Sequence, residues 1–411
     1  MAFLRLSGLT VAAALASSAA WAGCDLAGGN INILSNDFGA INAVVDGART
    51  CEGDGVTFSN NATTEHRDIQ VAALTPNPAE YTSAIVANSS IVPLYNDGLI
   101  RPLDDLVAAH GAGLNPTQLI TIDGQVMAVA FMANAQHLFY RSDILEQAGV
   151  AVPTTYEEVL AASEAIRAAG LMEHPYAMNS KVGWNLGEEF INMYLGHGGA
   201  FFEPGSATPA INNATGVATL EMLAALNAYA NPDFLTFDSN ATAALWESGE
   251  LALATMWGSR AAPILDDEGS TAEITGATML AAAPMVGGGD TPASTLWWDG
   301  FTISANVSDE DAEATFVALM HGLSPDVIMA NNDLAVWLAP GYTPGATAGG
   351  VFATASGGAT PYPMLPYMGL MHTALGDNLS EFLQGQESAE QALADVEAAY
   401  VTAARAQGFV E

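Results

Sequence analysis

Ile31-Asn32-Ile33-Leu34 runs into Ser35-Asn36-Asp37-Phe38 and then into a stretch that sets Ile41, Val44 and Val45 on one face. An apolar run without alternation, a polar turn and a helical repeat read as a strand buried on both faces, a loop and a covering helix. The unit recurs. Gly55-Val56-Thr57-Phe58 and Ser83-Ala84-Ile85-Val86 are further short strands, each followed by a polar loop and helical spacing. This alternation predicts an α/β fold whose parallel sheet is covered on both faces, with ligands beyond the carboxyl ends of its strands. The loops at 35–38, 63–67 and 88–90 are expected to face one crevice.

Working outward, the pattern restarts after residue 120. Ile122-Asp123-Gly124-Gln125 is a turn and Val126–Phe131 an apolar strand. Thr154 and Glu157 have capping-box spacing, Tyr156, Val159, Leu160 and Ile166 repeat on a helix, and Gly170 ends it. Helices are expected around Val217–Tyr229 and Ser239–Ser248, and strands at Leu251–Met256, Thr278–Ala283 and Phe301–Ala305. The segment 284–292 reads as a linker, 340–366 as irregular chain, and Ser388 with Gln391 as the capping box of a last helix.

The chain has 411 residues, more than one core ordinarily serves, so two lobes are the default. Half of it is apolar, which excludes intrinsic disorder. Asp and Glu number 45 and Lys and Arg only 9, for a net charge of −36. So few cations could not hold a phosphate backbone or an anionic membrane, which excludes nucleic-acid and lipid-surface partners and disfavours a highly anionic ligand. Residues 1–22 read as a signal peptide: Arg5 in the n-region, an apolar run from Leu9 to Ala16, and Ala20-Trp21-Ala22 as cleavage site. The run is too short to span a bilayer. The expected location is the periplasm. Cys24 and Cys51, the two cysteines of an exported chain, are expected to form a disulfide; the alternative is a lipoprotein acylated at Cys24, against which Trp21 stands where a lipobox takes Leu.

Motifs for catalysis are missing. The sequence has no G-x-S-x-G, P-loop, H-E-x-x-H, C-x-x-C or dinucleotide glycine fingerprint. Its seven histidines are dispersed, which predicts no metal site and no cofactor, and Glu188-Glu189 read as a solvated helix face. Aromatic residues beside small polar ones stand out instead: Trp257-Gly258-Ser259-Arg260 after one strand, Trp297-Trp298-Asp299-Gly300 before another, and Trp184-Asn185. Trp246 and Trp337, inside helical or apolar patterns, read as core. Indole faces with amide and carboxylate neighbours suit a sugar, which stacks its C–H face and bonds through its hydroxyls. An aromatic cage for a quaternary amine is the alternative.

The stretch Asp123-Gly124-Gln125, Ala130-Phe131-Met132-Ala133-Asn134-Ala135-Gln136-His137-Leu138-Phe139-Tyr140-Arg141, Asp143-Ile144-Leu145, Ala148-Gly149-Val150 and Val152-Pro153-Thr154-Thr155-Tyr156-Glu157-Glu158 resembles a signature of extracellular solute-binding proteins of carbohydrate-uptake ABC importers, the group related to maltose-binding protein. Gly98–Asp105, Glu247–Leu253 with Met256, and Leu383–Gln386 followed by Ser388–Leu393 resemble further pieces of that family in the same order. The resemblance implies two α/β lobes joined by hinge crossovers and closing on a ligand: residues 23–131 plus 289–322 as lobe 1, 132–288 plus 323–411 as lobe 2. It implies a monomer that hands a small sugar or polyol to a membrane permease. It carries pocket roles to Asn36 and Asp37, to Asn134, Gln136 and His137, to Trp257 with Arg260, and to Trp297, Trp298 and Asp299, and more weakly to His66, Tyr95 and Trp184. The paired tryptophans with an acid depart from the family pattern and suggest a small, neutral or weakly cationic ligand. A compatible-solute binder and a secreted glycan-active enzyme are the alternatives.

Overall fold

The computed structural model describes residues 24–53 and 55–411, so the expected signal peptide lies outside the described residues. Eleven strands form the sheet framework: β1 (Gly29–Ser35), β2 (Val56–Ala62), β3 (Ser83–Ala87), β4 (Leu119–Ile122), β5 (Gln125–Arg141), β6 (Tyr176–Ala177), β7 (Leu253–Trp257), β8 (Thr278–Ala281), β9 (Thr295–Phe301), β10 (Val336–Trp337) and β11 (Thr360–Pro361). The opening reading holds: β1 pairs in parallel with β2 and β3, and the Gly39–Arg49 helix returns the chain between β1 and β2.

The centre departs from a parallel sheet. β3 pairs antiparallel with β9, β9 antiparallel with β5, and β5 antiparallel with β7, which takes β6 in parallel. A strand that leaves one lobe and a strand that returns must run in opposite directions, so the connecting strands pair antiparallel. The 17 residues of β5 serve both sides: Val126–Val129 pair with β4, Gln136–Tyr140 with β7. Trp297, Trp298 and Asp299 lie inside β9 rather than before a strand at Phe301–Ala305. At Gly300 the β5 backbone comes so close that a methyl group would meet the Val129 carbonyl oxygen at 2.6 Å.

Two packed halves flank these crossovers. One buries Ile31, Ile33, Ile41, Val44 and Phe316 around β1, with Leu34, Ile91 and Leu94 on its other face. The other buries Phe190, Ile191, Leu223, Leu375 and Val396 among the helices Trp184–Gly196, Ala214–Asn227, Met368–Asn378 and Ala389–Ala406. Ile328, Ala335 and Trp337, expected from the sequence in lobe 2, pack into the β1 core, because β10 pairs with β5 beside Met132. Trp246 and Trp337 are core residues, their indole N–H groups bonded to Thr278 Oγ1 and the Asn331 carbonyl at 3.0 Å each.

Caps follow the sequence closely. Ser388 Oγ accepts from the Gln391 N–H, whereas Thr155 rather than Thr154 caps its helix, because Thr154 instead donates to the Glu158 carboxylate. Cys24 and Cys51 form a disulfide that ties the segment before β1 to the end of the first helix. Among the described residues no helix is long and apolar enough to cross a membrane.

Candidate functional site

Where the β strands end, their loops converge on a cleft of about 220 Å³. Asn36 and Phe38 enter from the turn after β1, Thr64 and Glu65 from the turn after β2, and Arg67 and Asp68 from the start of the His66–Leu74 helix that follows it. The facing half contributes Lys181 to Asn185, Asp238 to Asn240, and Trp257, Ser259 and Arg260 after β7. The crossovers supply the floor, Asn134 from β5 and Trp297 and Asp299 from β9. The cleft thus has one wall from each half and a base they share.

Three indoles form a continuous aromatic surface. Ring centroids lie 5.5 Å apart for Trp184 and Trp297, 5.7 Å for Trp257 and Trp297, and 6.2 Å for Trp184 and Trp257; the middle pair is perpendicular. Trp297 is fixed from behind. Its N–H donates to Thr295 Oγ1 at 2.7 Å and to Glu188 Oε1 at 3.1 Å, and its ring packs on Tyr362. Asn134 Oδ1 accepts from the Ser259 N–H, and its amide donates to Ser259 Oγ at 3.2 Å, which joins the crossover to the loop after β7.

Charge is distributed unevenly in this cleft. The guanidinium of Arg67 lies 4.3 Å over the Trp184 ring and that of Arg260 5.3 Å from the Phe38 ring, so each half lays a cation on an aromatic ring of the other. Burial lowers the pKa of both, that of Arg260 to about 10. Asp299 is 8% exposed and burial raises its pKa to about 6, although Arg67 and Arg260 both pull it down. Behind the wall, burial lifts Glu188 and Glu189 to about 8. Glu189 accepts from Gln136 and the Asn179 N–H, and Glu188 from Thr295 and Trp297. The solvated face expected for this pair is therefore corrected: both are buried, their helix packs against the Met368–Asn378 and Ala214–Asn227 helices, and their carboxyl groups bond to side chains of β5 and β9.

Of the residues singled out on the sequence, Asn36, Asn134, Trp184, Trp257, Arg260, Trp297 and Asp299 come together in the cleft lining. Six do not. Asp37 is exposed and holds Asn42; Tyr95 bonds to Asp123 at the surface. His66 is buried at the start of its helix, and Gln136 points to Glu189. His137 is buried against Phe139, with burial lowering its pKa to about 4. Trp298 alternates to the opposite face of β9, where it packs near Leu34 and Val86 while Asn88 bonds its backbone. Among the lining residues not singled out are Arg67, Phe38, Lys181 and Asp238; for the cations scarcity was the available signal, since Lys181 is the only lysine in the chain and Arg67 one of eight arginines.

Two lobes, antiparallel crossovers and a cleft between them define a two-lobed ligand-binding protein. Residues 35–322 match the bacterial extracellular solute-binding protein family, and the chain belongs to it. No curated protein matches the sequence. Among solved structures it is similar to the maltose-bound MalE3 of T. maritima, at 18% identity and a TM-score of 0.79 over 91% of this chain and 99% of that one. The ribitol complex of an ABC transporter solute-binding protein from Agrobacterium radiobacter gives 19% identity and a TM-score of 0.78, over 93% and 99%. The corresponding protein from Agrobacterium vitis with bound D-mannitol gives 18% and 0.77, over 93% and 100%.

Proposed function

We propose that the chain is the periplasmic substrate-binding component of an ABC importer, exported by its 1–22 leader, which captures a small sugar or polyol as a monomer and delivers it to a membrane permease. The observation that carries this reading is the pairing of flat indoles with neutral amides and a hydroxyl in one cleft: Trp257 and Trp297 beside Asn36, Asn134, Asn185 and Ser259. Structural relatives holding maltose, ribitol and mannitol support it. Lobe 1 comprises residues 23–131 plus 289–322 and the segment to 339 that packs on it; lobe 2 is the remainder. Ligand bridges the two walls, so binding favours the closed form that the permease reads.

A quaternary amine fits less well, because the Arg67 guanidinium already covers Trp184 and would repel a second cation. Turnover is not part of the assignment. Glu188 and Glu189, whose pKa values burial lifts to about 8, sit behind Trp297, outside the cleft lining.

Melting curves with maltose, ribitol, D-mannitol and glycine betaine test the reading. A micromolar ligand at a hundred times its Kd stabilises by about 2.7 kcal/mol. A rise with sugars or alditols is expected; a rise with betaine alone overturns the assignment.

A further inference from the structure

We infer that the ligand carries a carboxylate group, read by Arg67 and Arg260, so that within the sugar reading on which this rests the cleft selects sugar acids over neutral sugars. The chain is short of cations: 9 against 45 acidic residues. Yet three of the nine, Arg67, Lys181 and Arg260, line one cleft. Lys181 is committed, 3.5 Å from Asp238. The two arginines are not.

Among the described residues neither guanidinium has a carboxylate oxygen within 4.0 Å, and the Nε of each is buried without a hydrogen-bond partner. Arg67 donates to no protein acceptor, and Arg260 makes one long contact, Nη1 to Ser259 Oγ at 3.4 Å. Buried Arg141 shows what this chain does with a guanidinium it needs only for structure: Asp143 takes it through two bonds, Nε to Oδ1 at 2.8 Å and Nη2 to Oδ2 at 2.6 Å. The acids near the two cleft arginines do not replace that arrangement. Glu65 and Asp68 are exposed at the mouth, Asp37 is exposed and bonded to Asn42, and Asp238 faces Lys181 and caps its own helix. Glu188 acts on Arg67 alone, from behind the wall with Oε1 taken by Thr295 and Trp297; Asp299 is the buried carboxyl group that acts on both arginines, and among the described residues it lacks a hydrogen-bond donor.

Closing the lobes removes water from two cations and one anion. A buried charge is tolerated when it is paired and hydrogen-bonded. A neutral sugar would leave one guanidinium in excess, whereas a ligand carboxylate supplies the missing charge and matches the planar donor fork. Its hydroxyls then fall to Asp299 and the amides. The sequence-based expectation of a neutral or weakly cationic ligand came from the paired tryptophans with Asp299, with Arg260 in the pocket but without the Arg67 that the fold brings to it.

Calorimetric titrations of the exported protein at pH 7.5 test this with D-glucuronate, D-galacturonate, D-gluconate and digalacturonate, against D-glucose, D-galactose, D-glucitol and maltose. At least one acid is expected to bind about tenfold or more tighter than its neutral counterpart, with an affinity that weakens as salt is added. Arg67→Gln and Arg260→Gln should each remove most of that preference, and Arg260→Lys should restore part of it; far-ultraviolet circular dichroism of each variant establishes that it is folded. Neutral counterparts binding as tightly as the acids, or both kinds weakened alike by the variants, would overturn the inference while leaving the sugar reading in place. No binding by any acid or any neutral sugar would overturn both.

Discussion

The front and the back of the tryptophan wall hold buried ionisable groups in opposite ways. Behind it, Glu188 through Oε1 and Glu189 accept hydrogen bonds from Thr295, Trp297, Gln136 and the Asn179 backbone, and Glu188 Oε2 alone is buried without a partner. In front, Arg67 and Asp299 have no such partners and Arg260 has a single long one. Both regions draw on β5 and β9: Gln136, Thr295 and Trp297 bond the glutamates behind, and Asn134 and Asp299 line the front. Groups satisfied by the chain maintain the geometry of the wall; groups left open are available to a guest. The contrast separates what holds the cleft from what the cleft holds.

The largest effect should come from removing the wall itself. Trp297→Ala deletes a buried ring and strands the groups that bond it, and urea unfolding should show a loss of about 3–5 kcal/mol. A loss under about 1 kcal/mol would place Trp297 with the front rather than the back. Thr295→Val keeps the shape but removes the hydroxyl between Trp297, Glu188 and Asn192, and should cost about 1–3 kcal/mol by the same measurement.

The third prediction concerns pH. Glu188 and Glu189 titrate near 8 in the folded chain and near 4.5 unfolded, so the folded state binds more protons between those values and stability falls as pH rises. His137 and His372, lowered to about 4 by burial, act in the opposite sense, but only up to their unfolded value of 6.5. Melting temperature should therefore decline from pH 6.5 to 8, each glutamate contributing at most about 1.4 kcal/mol per pH unit. Glu189→Gln should flatten that slope, and an unchanged slope would show that these acids do not govern it. The smallest effect belongs to the front: Arg67→Gln in the ligand-free protein should leave unfolding free energy within about 1 kcal/mol of the parent, since the lost contact with Trp184 and attraction to Asp299 are offset by relief of the cation's desolvation.

The first lobe was legible because local chemistry specifies it. Ile31–Leu34 can only be a doubly covered strand, and the turns after β1 and β2 face the cleft as expected. Period-two alternation could have separated Trp297 from Trp298, had Trp297–Gly300 been read as strand instead of turn; their placement on opposite faces follows from β9. The antiparallel crossovers were not legible, since each pairs segments more than 110 residues apart. Nor was the burial of Glu188 and Glu189, although Phe190, Ile191, Met193 and Tyr194 beside them mark a helix apolar on every side. Arg67 lay inside a loop expected to face the crevice, but its unpaired state depends on which acids the fold keeps away from it.

Lys181 is the only side-chain amine in the chain, and it stands at the cleft mouth with 42% of its side chain accessible. Acylating chemistry that is random on ordinary proteins would here mark a single internal point, apart from the terminal amino group. An environment-sensitive dye placed there would sit where the walls meet, and its emission would turn the molecule into a reporter of its own occupancy without engineering a new attachment site.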